Sequence, residues 1–256
     1  MTTISVVAEK GGVGKTTTVL ELAYQFQIEQ KKVLVIDLDP QGSVTSVLTG
    51  KKNFENSVIG LFESEELVVL KSFIQKALSE WGNIYVIPGD RRTSNLSSIL
   101  SDRVGRDAIL SQQIKSAKKL FDYILIDTPP SLGIGTMNAL TASDYFLITT
   151  EASRFGSEAI PGVTKLAKNV KEKTNSSLEL LGVIINGFQK GISKGVRESV
   201  QEIKSMTKND PILIPHSTKI IEAQRIGASA CKLFPNTSVS KSYVELAKQI
   251  EERIEA

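Results

Sequence analysis

Ile4-Ser5-Val6-Val7-Ala8 leads directly into Glu9-Lys10-Gly11-Gly12-Val13-Gly14-Lys15-Thr16-Thr17. An apolar run, a glycine-rich turn ending in Lys-Thr and a helical segment from Thr16 to about Gln27 follow in the order of a phosphate-binding loop. Gly11, Gly12 and Gly14 lack Cβ atoms, so the backbone can turn tightly and bring its N–H groups against phosphate oxygens. The following helix aims its positive N-terminus at the same place. Lys15 adds a full charge near the β- and γ-phosphates, and the Thr16 hydroxyl is placed to ligate Mg²⁺. The loop departs from the usual G-x-x-x-x-G-K-[ST] pattern. Glu9 stands where the first glycine is expected, and a second lysine, Lys10, follows it.

Two further segments point to the same crevice. Lys32-Val33-Leu34-Val35-Ile36 ends in Asp37-Leu38-Asp39-Pro40-Gln41-Gly42, and Tyr123-Ile124-Leu125-Ile126 ends in Asp127-Thr128-Pro129-Pro130-Ser131. In an open parallel sheet, ligands bind at the carboxyl ends of the strands. Taken alone, a strand-end Asp is also a common cap or turn residue. Beside the phosphate loop, Asp127 and Asp37 read as holders of Mg²⁺ together with Thr16. Asp39 reads as the group that orients an attacking water.

Lys10-Gly11-Gly12-Val13-Gly14-Lys15-Thr16-Thr17, Asp37-to-Gly42 and Ile126-to-Ser131 together resemble the ParA family of DNA-partition ATPases, within the larger ParA/MinD group. The resemblance runs from about Ile4 to about Ile250. It is strongest through Gly42 and from Phe121 to Ala142, and thin from Lys51 to Ser111. It implies ATP and Mg²⁺ as ligands and a homodimer that sandwiches ATP. Lys10 would cross to the partner's phosphates, while Lys15 would serve its own subunit. Gly11 through Thr17 would cradle the phosphates, with Thr17 on the α-phosphate. Lys10, Lys15 and Asp39 would be the catalytic groups. The two aspartate segments would be switches that sense the γ-phosphate. The strand Leu181–Ile185 ends at Asn186, where family members often hydrogen-bond adenine. Ile214-Pro215-His216-Ser217 matches a second adenine-side segment, so Pro215 and Ser217 are implied there as well. His216 and Ser217 stand in place of the family's usual Arg and Asn.

Length and pattern bound the rest. The 256 residues are 41% hydrophobic, ordinary for one large α/β domain. β-branched runs at Ile4–Ala8, Val33–Ile36, Ile84–Ile87, Tyr123–Ile126, Tyr145–Thr149, Leu181–Ile185 and Ile212–Ile214 alternate with polar-patterned segments. That order predicts a doubly wound, mostly parallel sheet flanked by helices, in a single domain over residues 1–256. No room is expected for an N-terminal helix-turn-helix domain. Between Gly50 and Ser79, Phe62, Leu67, Leu70, Phe73, Ile74 and Leu78 have near-helical spacing and read as core. Ser242 to Ala256 reads as an amphipathic helix with Val244, Leu246, Ala247, Ile250 and Ile254 on or near one face. The lone Cys231 allows no internal disulfide, and a packing role is simpler than a reactive one. The lone His216 has no ligand-type neighbours, and a structural or surface role is simpler than a metal or acid–base one. No apolar run approaches the roughly 20 residues of a membrane span, and a cytoplasmic protein is expected; nucleoid association is what the resemblance implies.

Net charge is only +3, but from Lys165 to Lys241 basic residues outnumber acids. Such an excess makes either a solvated helical face or a surface that binds phosphate backbone without reading sequence. The resemblance implies the latter: non-specific DNA binding in the ATP state and hydrolysis stimulated by a ParB-like centromere-binding protein. Lys219 matches a DNA-contacting position of the family, and Lys190 and Lys194 are looser candidates. Three other readings share the core. A MinD-like membrane switch needs a cationic apolar tail, whereas here acids outnumber bases from Glu245 onward. A nucleotide-sensing positioning adaptor would dimerise without stimulated turnover. A ligase or amidase would need a nucleophile constellation, and the sequence displays none.

Overall fold

The computed structural model describes residues 1–188, 194–207 and 209–255. Eight strands form one sheet in the order β3-β4-β2-β5-β1-β6-β7-β8. Their ranges are β1 Thr2–Val7, β2 Val33–Asp37, β3 Gln75–Lys76, β4 Ile84–Ile87, β5 Tyr123–Asp127, β6 Tyr145–Glu151, β7 Glu179–Phe188 and β8 Ile212–Pro215. All neighbours are parallel except β3, which runs antiparallel to β4 at one edge. The helices are α1 Lys15–Ile28, α2 Ser43–Thr49, α3 Val58–Glu63, α4 Leu96–Ile99, α5 Ile109–Gln113, α6 Ile134–Ala142, α7 Arg154–Lys173, α8 Lys194–Ser205, α9 Thr218–Arg225, α10 Ala230–Leu233 and α11 Ser238–Glu255. The expected doubly wound sheet and its seven parallel strands are present.

Both sheet faces are covered, as the near-continuous apolar strands require. Alternate side chains divide between them. Ile4 and Val6 of β1, Val33 and Val35 of β2 and Leu125 of β5 pack with Leu20 and Leu22 of α1 and with Leu246 and Ile250 of α11. Leu34, Ile36, Ile124 and Ile126 face the other way, toward α3, α5 and α6. Further along that second face, Val7, Ile148 and Val183 meet Ile160 and Val163 of α7 and Ile203 of α8.

The stretch between Gly50 and Ser79 departs from expectation. It holds α3, a 3₁₀ turn at Leu70–Phe73 and the edge strand β3 rather than longer helices. Phe62 and Leu70 are buried, but Leu67 is 72% exposed and Leu78 is also exposed, so these two are not core. The reason is local. Leu67 sits in an irregular segment whose backbone is held by Gln113, through Val68 N–H to Oε1 at 3.0 Å. In α11, Leu246, Ala247 and Ile250 are buried as expected, while Val244 is exposed.

Candidate active site

β1, β2 and β5 lie side by side near the centre of the sheet, so their carboxyl ends deliver three loops to one place. The register sets Asp37 of β2 directly beside Asp127 of β5. After β1 the chain turns through Gly12 and Gly14 at φ +78° and +90° and enters α1 with Gly14 as its N-cap. Only glycine fits at Gly14, on two grounds. The backbone is left-handed, and a Cβ would lie 2.6 Å from Asn186 Nδ2.

Lys15 is 5% exposed and donates from Nζ to Lys10 O at 3.2 Å. Burial lowers its pKa, opposed by the charges of Asp127 and then Asp39. Thr16 Oγ1 donates to Asp127 Oδ2 at 2.7 Å. Burial raises the Asp127 carboxyl well above the usual range, and Asp37 beside it pushes further the same way, against the Thr16 bond and Lys15. Asp37 is likewise raised, to about 6, chiefly by burial and against hydrogen bonds from Thr45. Asp127 Oδ1 is buried without a hydrogen-bond partner among the described residues. An orphaned carboxylate oxygen, a neighbouring carboxylate and a threonine hydroxyl are the donor set a hard divalent cation takes. Thr16, Asp37 and Asp127 therefore fit a Mg²⁺-type ion. Asp39 lies half-buried on the loop beyond, its Oδ1 accepting the Gln41 N–H at 2.9 Å in a tight turn. The turn role and a solvent-facing carboxylate thus coexist in one residue.

Lys10 does not fold into its own loop. Its ammonium rests 4.7 Å from the centroid of the Phe155 ring, in the first turn of α7. Phe155 is 66% exposed. Glu9 leans on the same helix, near Gly162.

A cleft of about 470 Å³ continues from the loop between Gly12–Gly14, Thr17, Glu151, Asn186–Phe188 and Ile214–Ser217. It is large enough for a nucleoside. Asn186, Pro215 and Ser217, the residues the resemblance implied on the adenine side, all line it, and so does His216. Asn186 also works on the loop itself: Nδ2 donates to Val13 O at 2.9 Å, and Oδ1 accepts from Tyr243 at 3.5 Å. Ser217 caps α9, its Oγ accepting the Lys219 N–H. Gln224 Nε2 donates to Thr17 Oγ1 at 3.0 Å, a contact across 207 positions that no local motif signals. Cys231 is buried and its thiol is pushed up by burial and by Glu21, which fits packing rather than reactivity.

The cationic surface is less open than its sequence reads. Lys219 Nζ pairs with Glu222 at 2.7 Å and sits over the Phe234 ring at 4.7 Å. Lys204 pairs with Asp210, and Lys168 with Glu172. Lys190 lies outside the described residues, and Lys194 opens α8.

The chain is similar to known proteins along most of its length. The AAA domain family matches residues 1–180. Sporulation initiation inhibitor protein Soj of Bacillus subtilis is 30% identical over 250 residues, covering 96% of this chain and 97% of that protein. The cell division ATPase MinD of Pyrococcus furiosus is 27% identical, with a TM-score of 0.75 over 98% of this chain and 99% of that one. An apo McdA structure from Cyanothece superposes with a TM-score of 0.87 over 99% of both chains at 23% identity, a likeness of fold.

Proposed function

This chain belongs to the AAA domain family and, within it, to the ParA/MinD group of P-loop ATPases, and on that premise we propose that it is a Mg²⁺-dependent ATPase switch of the partition type. The carrying observation is the convergence of Lys15, Thr16, Asp37, Asp39 and Asp127 at three adjacent strand ends. ATP enters with its phosphates on the Gly11–Thr17 amides and its base in the cleft beside Asn186, Pro215 and Ser217. Thr16, Asp37 and Asp127 hold Mg²⁺, which supplies charge neutralisation to the phosphate oxygens. Lys15 neutralises phosphate charge from within the subunit. Asp39 orients water for in-line attack on the γ-phosphate. Lys10, held outside its own loop, is free to reach a second subunit once Phe155 releases it. That makes the ATP state a homodimer.

The dimer binds DNA without reading sequence, through the basic excess of α7, α8 and α9, with Lys190, Lys194 and Lys219 as contacts. A ParB-like centromere-binding protein accelerates hydrolysis and so releases the dimer from the nucleoid. The membrane reading loses ground to one observation. The apolar face of α11 is spent against α1 and β8, with Leu246 and Ile250 buried. No described helix is long and apolar enough to cross a membrane.

The test is binding to a random-sequence duplex with ATP, with ADP and without nucleotide, at two salt concentrations. Salt-sensitive binding with ATP alone, lost in Lys10→Ala and persisting without turnover in Asp39→Ala, is the expected result. Normal ATP-driven dimerisation with no DNA binding in any state would refute the partition reading and favour an adaptor.

A further inference from the structure

Asp37 is held by more than its own strand. Its Oδ2 accepts two hydrogen bonds from Thr45 in the first turn of α2, from N–H at 2.9 Å and from Oγ1 at 2.7 Å. The same Thr45 Oγ1 accepts the Gly89 N–H at 2.8 Å. Gly89 follows β4, and its backbone passes so near Asp37 that a Cβ there would lie 2.9 Å from Asp37 Cγ. Thr45 and Asp37 are both fully buried.

The chemistry of these groups fixes the direction of every bond. A backbone N–H can only donate, so the Gly89 bond uses the hydroxyl as acceptor. The single hydroxyl proton is then committed to Asp37. Oδ2 therefore receives two donors and is saturated. Among the described residues, Oδ1 receives only the Asp39 N–H at 3.2 Å. The carboxylate is thus oriented by one side chain, Oδ1 is its less engaged oxygen, and the strand register places Asp37 beside Asp127. Ligating carboxylates depend on such outer partners for orientation.

We propose that Thr45 is a positioning residue for the divalent cation: its hydroxyl, aligned by the Gly89 N–H, turns Asp37 so that Oδ1 faces the cation and ties the β2 end to the β4 end. The assignment rests on the Mg²⁺–ATP reading above. It adds a residue that lies outside all three motifs and a linkage from the carboxylate pair to the Pro88–Asp90 segment. That linkage has a mechanical sense. Pro40, Gln41 and Gly42, which directly follow Asp39 in the chain, share a cleft of about 320 Å³ with Gly89. A shift of the β4 exit is passed through Thr45 to the loop that carries Asp39.

The test uses the full chain with a non-hydrolysable ATP analogue and reads Mn²⁺ binding by electron paramagnetic resonance, beside the Mg²⁺ dependence of ATP turnover. Thr45→Val keeps the shape and removes the hydroxyl. Cation affinity is expected to fall roughly 10- to 100-fold, as for other outer-shell partners. Nucleotide binding without the cation is expected to hold. Thr45→Ser restores the hydroxyl and is expected to bind within about twofold of wild type. Should Thr45→Val fail to fold, Gly89→Ala carries the test, because its Cβ displaces Asp37 while Thr45 is intact. Its cation affinity is expected to drop as well. Wild-type Mn²⁺ affinity in folded Thr45→Val, or a Thr45→Ser variant as weak as Thr45→Val, overturns the assignment alone, whereas wild-type affinity in Gly89→Ala removes Asp37 as a ligand and the assignment with it. A wild-type chain that binds neither Mn²⁺ nor nucleotide overturns the underlying ATPase reading instead, and the assignment falls with it.

Discussion

Glu21 offers a direct test of what ties the start of α10 to α1. It lies in α1, one turn beyond Thr17, and is fully buried. Its carboxylate accepts the Ser229 hydroxyl at 2.6 Å, the Ala230 N–H at 2.9 Å and the Cys231 N–H at 3.1 Å. These are first-turn donors of α10, which have no partner within that helix. Glu21→Ala leaves two buried N–H groups unpaired and a hydroxyl without its acceptor. At about 1–3 kcal/mol for each orphaned group, the two N–H groups alone cost about 4 kcal/mol. For a chain of this size that is a fall of roughly 8–16 °C in Tm. Glu21→Gln keeps one acceptor oxygen, and the Ser229 hydroxyl can turn to accept from the new amide. One N–H stays unpaired, so the loss is about 1–3 kcal/mol.

The lone Cys231 provides a local reporter, because its thiol is buried beside this carboxylate. If the whole penalty falls on the α9–α10 segment, thiol labelling in the folded protein accelerates about a thousandfold in Glu21→Ala. The segment carries Gln224, so the Thr17 contact should loosen in step and weaken nucleotide binding. A Glu21→Ala protein that melts within about 2 °C of wild type with unchanged labelling would refute the reasoning. So would a Glu21→Gln protein less stable than Glu21→Ala.

Two further outcomes follow from the site. Asp37 is raised to about 6, so the native state holds its proton more tightly than the unfolded chain. The ligand-free protein therefore gains from this group below the unfolded carboxylate range and loses that gain as pH rises through about 6. Protons compete with the cation, so stabilisation by MgCl₂ with a non-hydrolysable analogue should be larger above pH 6 than below it. Melting scans on either side check this, and an equal Mg²⁺ effect at both would count against Asp37 as a ligand. Phe155→Ala removes the ring beneath Lys10. A cation–π contact at an exposed position is worth about 0.5–1 kcal/mol, so ATP-driven dimerisation should need roughly two- to fivefold less ATP. Light scattering across an ATP titration reads this, and a requirement that rises would mean Phe155 serves the interface itself.

Most of the site was legible because its parts are local. A phosphate loop and two strand-end aspartates are short motifs, and the parallel order of apolar runs brings them together. Asp39 shows the limit even there, since its turn bond to Gln41 is what a plain turn residue would also make. Thr45, Gln224 and Tyr243 were not legible. Each acts through a partner distant in sequence or on a neighbouring loop, and none has a distinctive residue type. β3 was missed because two polar residues, Gln75 and Lys76, have no period to read. Leu67 and Leu78 fit a helical spacing but lie on irregular backbone, where that spacing places nothing on a common face. Lys219 read as an open charge because Glu222, three residues on, is an acid any helix would set beside it.

The burial of Lys15 has a consequence for how ligands arrive. With the site as described, one buried ammonium is balanced against the carboxylates of Asp127 and Asp39. A polyphosphate that enters alone claims the ammonium and strands the carboxylates. A cation that enters alone claims the carboxylates and strands the ammonium. Each half-step leaves a buried group, Lys15 or Asp127, short of its counter-ion, while the joint step exchanges both partners at once. On the Mg²⁺–ATP reading proposed above, nucleotide and metal would be thermodynamically coupled, each raising the other's affinity by the same factor. On that reading, substrate uptake would be an ion exchange by a neutralising pair rather than simple filling of a hole.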